Sequence, residues 1–145
     1  MIELDKFIKI FEGLTSAYGQ TIKTDQFSEK GKHKTKSFTI SNPVTKKLWR
    51  EHLEGKDPAL GIVPITKENK CKWGCIDIDT YPFDHKKFIQ KLKQKNIPMI
   101  VCRSKSGGAH AFLFTKDFVP ATVMRVKLKL IASAMGFASA EIFPK

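Results

Sequence analysis

Trp73-Gly74-Cys75-Ile76-Asp77-Ile78-Asp79 is the stretch from which the rest of the chain can be read. Ile76 and Ile78 alternate with Asp77 and Asp79, the period of a β-strand. Side chains two residues apart leave a strand on the same face, about 6–7 Å apart along it. Two carboxylates therefore share one face and two isoleucines cover the other. Paired acids on a sheet repel unless a cation lies between them. Mg²⁺ or Mn²⁺ suits carboxylate oxygens and would relieve that repulsion. A strand end running into solvent with idle acids accounts for a lone D-x-D equally well, so the downstream sequence has to decide.

Downstream the pattern is regular. Asp84 can cap a helix carrying Phe88, Ile89 and Leu92 to about Lys95, and residues 98–103 read as a strand. A Ser104-Lys105-Ser106-Gly107-Gly108 turn leads into a strand over 110–115. Pro120 opens a helix with a Met124, Leu128, Ile131, Met135 stripe that Gly136 ends, and residues 140–143 form a last short strand. The order is β-α-β-β-α-β, a split, RRM-like α+β arrangement. In such a sheet Ile76, Ile78, Ala111, Leu113, Ala140 and Ile142 face the helices. Alternation then sends Asp77, Asp79, His110, Phe112, Phe114, Glu141 and Phe143 to the open face. Three carboxylates and a histidine from three strands meet there, a far more specific signal than D-x-D alone. The Ser/Gly turn permits close backbone approach, and its N–H groups can form an anion nest beside Arg103 and Lys105.

Upstream, Leu4, Phe7, Ile8, Phe11 and Leu14 recur at helical spacing over residues 2–14. Lys23, Lys30, Lys32, His33, Lys34 and Lys36 surround Gly31 in a segment poor in apolar residues, which reads as a basic hairpin or loop able to grip phosphates. Residues 38–40 suggest a short strand, Asn42-Pro43 a helix start with Gly55 as its stop, and residues 60–65 another strand. A small α/β lobe over 1–70, ahead of a catalytic lobe over 71–145, is the expected division.

Composition agrees with a polyanionic partner. Within 145 residues, 26 Lys and Arg oppose 14 Asp and Glu, leaving +12, and a hydrophobic content of 41% supplies a core. No apolar run approaches the length of a membrane span, and Met1-Ile-Glu-Leu-Asp5 lacks the basic and apolar regions of a signal peptide. Three cysteines without secretory context imply reduced, structural thiols and a cytoplasmic location. Their spacing with His85 fits no zinc finger.

At these residues the chain resembles the archaeo-eukaryotic primase superfamily, the primase-polymerases. Ile76-Asp77-Ile78-Asp79 is similar to its apolar-D-x-D motif, and Ser104-Lys-Ser-Gly-Gly-Ala-His110 to its serine, glycine and histidine motif. Glu141 in Ala140-Glu-Ile-Phe-Pro-Lys145 is similar to its third motif, with Glu where many members have Asp. The likeness covers about residues 58–145 and is nearest to primase domains of mobile elements and conflict systems. It implies a DNA-dependent nucleotidyltransferase making or extending primers, with Asp77, Asp79 and Glu141 as catalytic residues holding Mg²⁺ or Mn²⁺. It further implies contact of nucleoside triphosphate with Ser104, Lys105, Ser106, Gly107, Gly108, His110 and Lys145. Template and primer DNA would lie on Lys30, Lys32, Lys34, Lys36 and basic helix faces. Members usually continue beyond such a point, implying a chain cut short or the catalytic half of a replication protein, with a helicase domain or protein as a further partner. Two other readings use the same residues: a non-catalytic RNA-recognition module stacking bases on Phe112 and Phe114, and a metal-dependent nuclease.

Overall fold

A computed structural model describes residues 3–29, 31 and 33–145. The chain divides into two units, one ending at Thr66 and the other beginning at Lys67. Among the described residues there are four helices and two antiparallel sheets, a mixed α/β architecture.

In the first unit, helix α1 (Leu4–Ile10) is shorter than the hydrophobic spacing predicts. The chain leaves the helix because it must run beside Val63. The Leu14 N–H donates to the Val63 carbonyl at 2.8 Å, and a Cβ on Gly13 would lie 2.2 Å from that same oxygen. Strands β1 (Tyr18–Phe27) and β2 (His33–Ile40) make the expected basic hairpin, but its strands are longer than a loop with a short strand at 38–40. Helix α2 (Lys46–Leu53) starts at Thr45, whose hydroxyl accepts from the Leu48 N–H, and not at Asn42-Pro43. The Val44 N–H is held instead by the Thr15 carbonyl, 2.9 Å away, which keeps that segment out of the helix. Strand β3 (Ala59–Gly61) pairs with β1 and ends well short of residue 65. Beyond it the Val63 carbonyl serves Leu14, and Pro64 has no N–H to give a ladder. The sheet order is β2-β1-β3, and Phe7 packs edge-on against the buried Trp49 at 5.9 Å.

The second unit contains strand β4 (Lys70–Ile78), helix α3 (His85–Gln94), strands β5 (Ile100–Arg103) and β6 (Ala109–Pro120), helix α4 (Ala121–Ala134) and strand β7 (Glu141–Phe143). The sheet order is β5-β6-β4-β7, with every pairing antiparallel. Asp84 caps α3 as its sequence predicts, its carboxylate accepting from the Lys87 N–H at 3.0 Å. Strand β6 runs on to Pro120, past the expected end at 115, because its far half pairs with Lys70 and Cys71 across a bulge.

Helix α4 covers one face of this sheet with Met124, Leu128 and Ile131, all buried. Beneath it lie Ile76, Ile78 and Ala111, each no more than 1% exposed. Gly74 is a glycine for the same reason. A Cβ there would sit 2.6 Å from a Leu128 methyl and 2.8 Å from both Met124 and the Phe143 carbonyl. The tight seat of α4 fixes which face of β4 is buried, and so which face carries the acids.

Candidate active site

Register decides which side chains meet on the uncovered face. Asp77 lies directly opposite His110 on β6 and directly opposite Glu141 on β7. Cross-strand neighbours share a face, with Cβ atoms about 4.5–5.5 Å apart. Trp73, Cys75, Phe112, Phe114 and Phe143 continue that face away from the acids. The rings of Phe112 and Phe114 are 6.0 Å apart and near parallel, and Trp73 meets Phe112 edge-on at 6.0 Å. An aromatic floor therefore leads up to a polar end.

At that end Asp77 is the strained group. Its Oδ1 is buried and has no hydrogen-bond partner. His110 Nε2 lies 3.4 Å from this oxygen, near enough for an ion pair when the ring is protonated but not aligned as a hydrogen bond. Burial pushes the Asp77 carboxyl above the ordinary aspartate range. His110 pulls it back, while the charges of Asp79 and Glu141 raise it further. Cys75, two residues earlier on the same face, has its thiol pushed up to about 12, mainly by burial and then by the charge of Asp77. It is a protonated thiol and no thiolate ligand. Cys102, expected to be structural, is exposed on the edge strand β5.

The other two acids are already engaged. Asp79, just beyond β4, accepts a hydrogen bond from the Tyr81 hydroxyl at 3.0 Å. Glu141 is ion-paired with Lys145. Among the described residues no group of three or more His, Cys, Asp or Glu gathers as a ready metal cluster. The donor chemistry still fits a hard divalent cation. All three acids offer carboxylate oxygens, and the orphaned Asp77 Oδ1 is an acceptor that nothing in the protein satisfies.

The Ser104–Gly108 turn joins β5 to β6 beside these acids. The Ser104 N–H donates to the Gly108 carbonyl and the Gly107 N–H to the Ser104 carbonyl, each at 3.0 Å. The Gly107 donor expected in an anion nest is thus spent inside the turn. Gly107 has φ +97°, and a Cβ on Gly108 would fall 2.1 Å from the Ile78 carbonyl oxygen, so the second glycine lets the turn rest on the end of β4. Ser104 is buried, whereas Lys105 and Ser106 are exposed.

Two residues of this neighbourhood escaped the sequence reading. Tyr81 bridges the D-x-D strand and the turn, its hydroxyl oxygen 2.8 Å from Ser106 Oγ. A carboxylate can only accept, so the tyrosine proton goes to Asp79 and Ser106 donates to the tyrosine oxygen. Strand β4 ends at Ile78, so no alternation in the sequence places Tyr81. His85 Nε2 lies 2.9 Å from the Gly108 carbonyl and ties α3 to the turn; no spacing in the sequence signals that contact.

Of the basic residues expected to hold nucleic acid, Lys34 and Lys36 lie exposed on β2, and Lys30 and Lys32 fall outside the described residues. No helix among the described residues is long and apolar enough to cross a membrane.

The chain belongs to the archaeo-eukaryotic primase family: residues 6–143 match the family described as the archaeo-eukaryotic primase domain of the TOTE conflict system. No curated protein matches the sequence.

Proposed function

We propose that the chain is the catalytic domain of a primase-polymerase, a DNA-dependent nucleotidyltransferase that makes or extends primers. The observation that carries this is the register of Asp77 with both His110 and Glu141, together with the unsatisfied Asp77 Oδ1. Family membership supports the reaction class. The strand order β5-β6-β4-β7 with its two crossing helices supports reading the sheet as the split, RRM-like kind.

In this proposal Asp77, Asp79 and Glu141 hold Mg²⁺ or Mn²⁺. A divalent ion bound there supplies Lewis-acid activation of the primer 3′-hydroxyl and neutralises triphosphate charge. The hydroxyl oxygen bonds to the α-phosphorus, the bond to pyrophosphate breaks, and the proton passes to solvent. The chain's own residues bind and orient. His110 donates a hydrogen bond to a phosphate oxygen. Lys105, Ser106 and the turn backbone flank the triphosphate, and Lys145 turns from Glu141 towards it. The half-buried rings of Phe112 and Phe114, backed by the buried Trp73, carry the base or the template strand. Lys34 and Lys36 add affinity for DNA, and a helicase domain or protein is the natural companion of such an activity.

The aromatic floor also suits a non-catalytic module for single strands, and one experiment separates the two. Primer extension with Mn²⁺ and each nucleotide set should give products with the natural chain and none with Asp77→Ala or Asp79→Ala. Full extension by Asp79→Ala would refute the assignment of the acids, and no extension by the natural chain under any condition would leave the binding module standing.

A further inference from the structure

Helix α4 has two sides. Its apolar stripe seats on the sheet, and a second row, Arg125, Lys129 and Ser133, runs along the helix at four-residue spacing. Four residues rise about 6 Å, so the row is about 12 Å long. It lines a cavity of about 490 Å³ that is closed on its other side by the start of β7, with Glu141 and Lys145 in the wall. Strand β7 is the edge of its sheet.

Its electrostatics favour an anion. Helix α4 contains no acidic residue. Among the described residues no carboxylate pairs with Arg125 or Lys129, and the one acid in the wall, Glu141, is matched by Lys145. A row of two cations and a hydroxyl over 12 Å suits successive phosphates better than one compact group. Glu141 and Lys145 of its wall belong to the site proposed above, while Arg125, Lys129 and Ser133 lie on α4, so a polynucleotide leaving the open face over the β7 edge reaches this row.

We infer that this cavity binds the backbone phosphates of a single-stranded nucleic acid, with Arg125 and Lys129 as its cations and Ser133 as a neutral donor. The inference rests on the nucleic-acid partner proposed above, but on neither the metal nor the chemistry.

The test is the salt dependence of binding of a fluorescent single-stranded oligonucleotide, measured on the full chain without metal or triphosphate. Each phosphate contact contributes about 0.7 to the slope of log K against log salt. Arg125→Ala with Lys129→Ala should therefore lower the slope by about 1.4. Between 50 and 200 mM salt the variant should then lose about sevenfold less affinity than the natural chain does. Both side chains lie outside the buried stripe, and an unchanged thermal melt establishes that the variant folds. Arg125→Lys with Lys129→Arg should restore the slope, since charge and not shape is at work. Titration of inorganic triphosphate supplies the second arm, where natural chain and variant should bind equally. An unchanged oligonucleotide slope overturns the inference, as does a loss confined to triphosphate, which would make the cavity a nucleotide subsite. Primer extension by the natural chain is a separate readout, so failure of the cavity and failure of the polymerase reading are distinguishable.

Discussion

Strand β2 of the first unit leaves seven of its eight residues exposed, whereas β4 of the second unit buries six of nine. Both belong to antiparallel sheets, yet they are stabilised in different ways. Strand β4 is held by side-chain burial, with Ile76 and Ile78 under α4 and Trp73 and Cys75 buried on the other face, and about 1.5–3 kcal/mol is available for each fully buried aliphatic group. Strand β2 is held by its ladder to β1 and by polar cross-strand contacts such as the Thr21–Ser37 hydroxyl pair at 2.9 Å. The difference places tolerance to change in the first sheet and the demand for exact register in the second, where register also assembles the acids. Charge follows the same division. The second unit carries 15 of the 26 basic side chains and 6 of the 14 acidic ones, a net +9, against +3 for the first. The conspicuous lysine run of the hairpin is thus not where most of the basic excess lies.

The sharpest way to break this comparison is to remove equal hydrophobic groups from the two sheets. Leu128→Ala beneath Gly74 should cost about 2–5 kcal/mol, because the side chain is fully buried and the cavity cannot close. Ile22→Ala on β1, where the side chain is 37% exposed, should stay within about 1 kcal/mol. Urea unfolding of both variants measures the two costs, and equal losses would show that the first sheet has a hidden core.

That contrast also explains what the sequence made legible. Ile76 and Ile78 alternate with acids because one face of β4 is buried, so strand, face and neighbours can be read from the alternation alone. The Asp84 cap and the Met124–Met135 stripe were legible for the same reason, as each answers to a single packing surface. The full length of β1 was not anticipated because beyond the buried Tyr18 neither of its faces is covered: Ile22, Lys23 and Asp25 are exposed, and Gln20, Thr21 and Thr24 only half-buried. Without a buried face there is no period to detect. The end of α1 and the shortness of β3 hang on one carbonyl, that of Val63, which lies some fifty residues from the helix it terminates. In the site, the acids and His110 were legible through parity. The pairing of Glu141 with Lys145, and of Asp79 with Tyr81, depends on rotamers that no pattern encodes.

Within the second sheet, His110 sharpens the claim that register assembles a triphosphate site. His110→Ala should weaken nucleoside triphosphate binding by about 1.5–3 kcal/mol, the range for a hydrogen bond to a charged group, and leave oligonucleotide binding nearly unchanged. Calorimetric titration of triphosphate with Mn²⁺ present measures it, and equal affinities would remove the histidine from the site.

Asp77 should show the opposite of an ordinary stabilising carboxylate. Its pKa is raised by burial, so folding penalises the ionised form. The penalty is absent below the unfolded pKa, near 3.9, and complete once pH exceeds the folded value. Asp77→Asn should therefore raise the melting temperature by a few degrees near neutral pH, and this gain should fade as pH drops towards 3. Added Mn²⁺ should stabilise the natural chain and leave the variant unaffected. Melting curves across pH, with and without Mn²⁺, give both results, and a gain that grows in acid would contradict the raised pKa.

The smallest expected effect belongs to the hairpin, and it returns to the two sheets. The register sets Lys36 opposite Ile22 and Thr35 opposite Lys23, so Lys34 and Lys36 share one face of β2 while Lys23 projects from the other. Among the described lysines of the run, Lys23 is therefore separated from Lys34 and Lys36. A strand of DNA lying on the hairpin meets one of these faces, and the face with two lysines is the stronger competitor. Lys34→Ala with Lys36→Ala should lower the salt slope for single-stranded DNA by about 1.4, while Lys23→Ala should leave it unchanged. Because both lysines are exposed on a strand that buries almost nothing, stability should hold within about 0.5 kcal/mol. A Lys23→Ala variant that loses slope instead would put the DNA on the opposite face of the hairpin. If none of the three substitutions changes the slope, the first sheet makes no contact with the phosphates, and the basic excess of the second unit carries the binding alone.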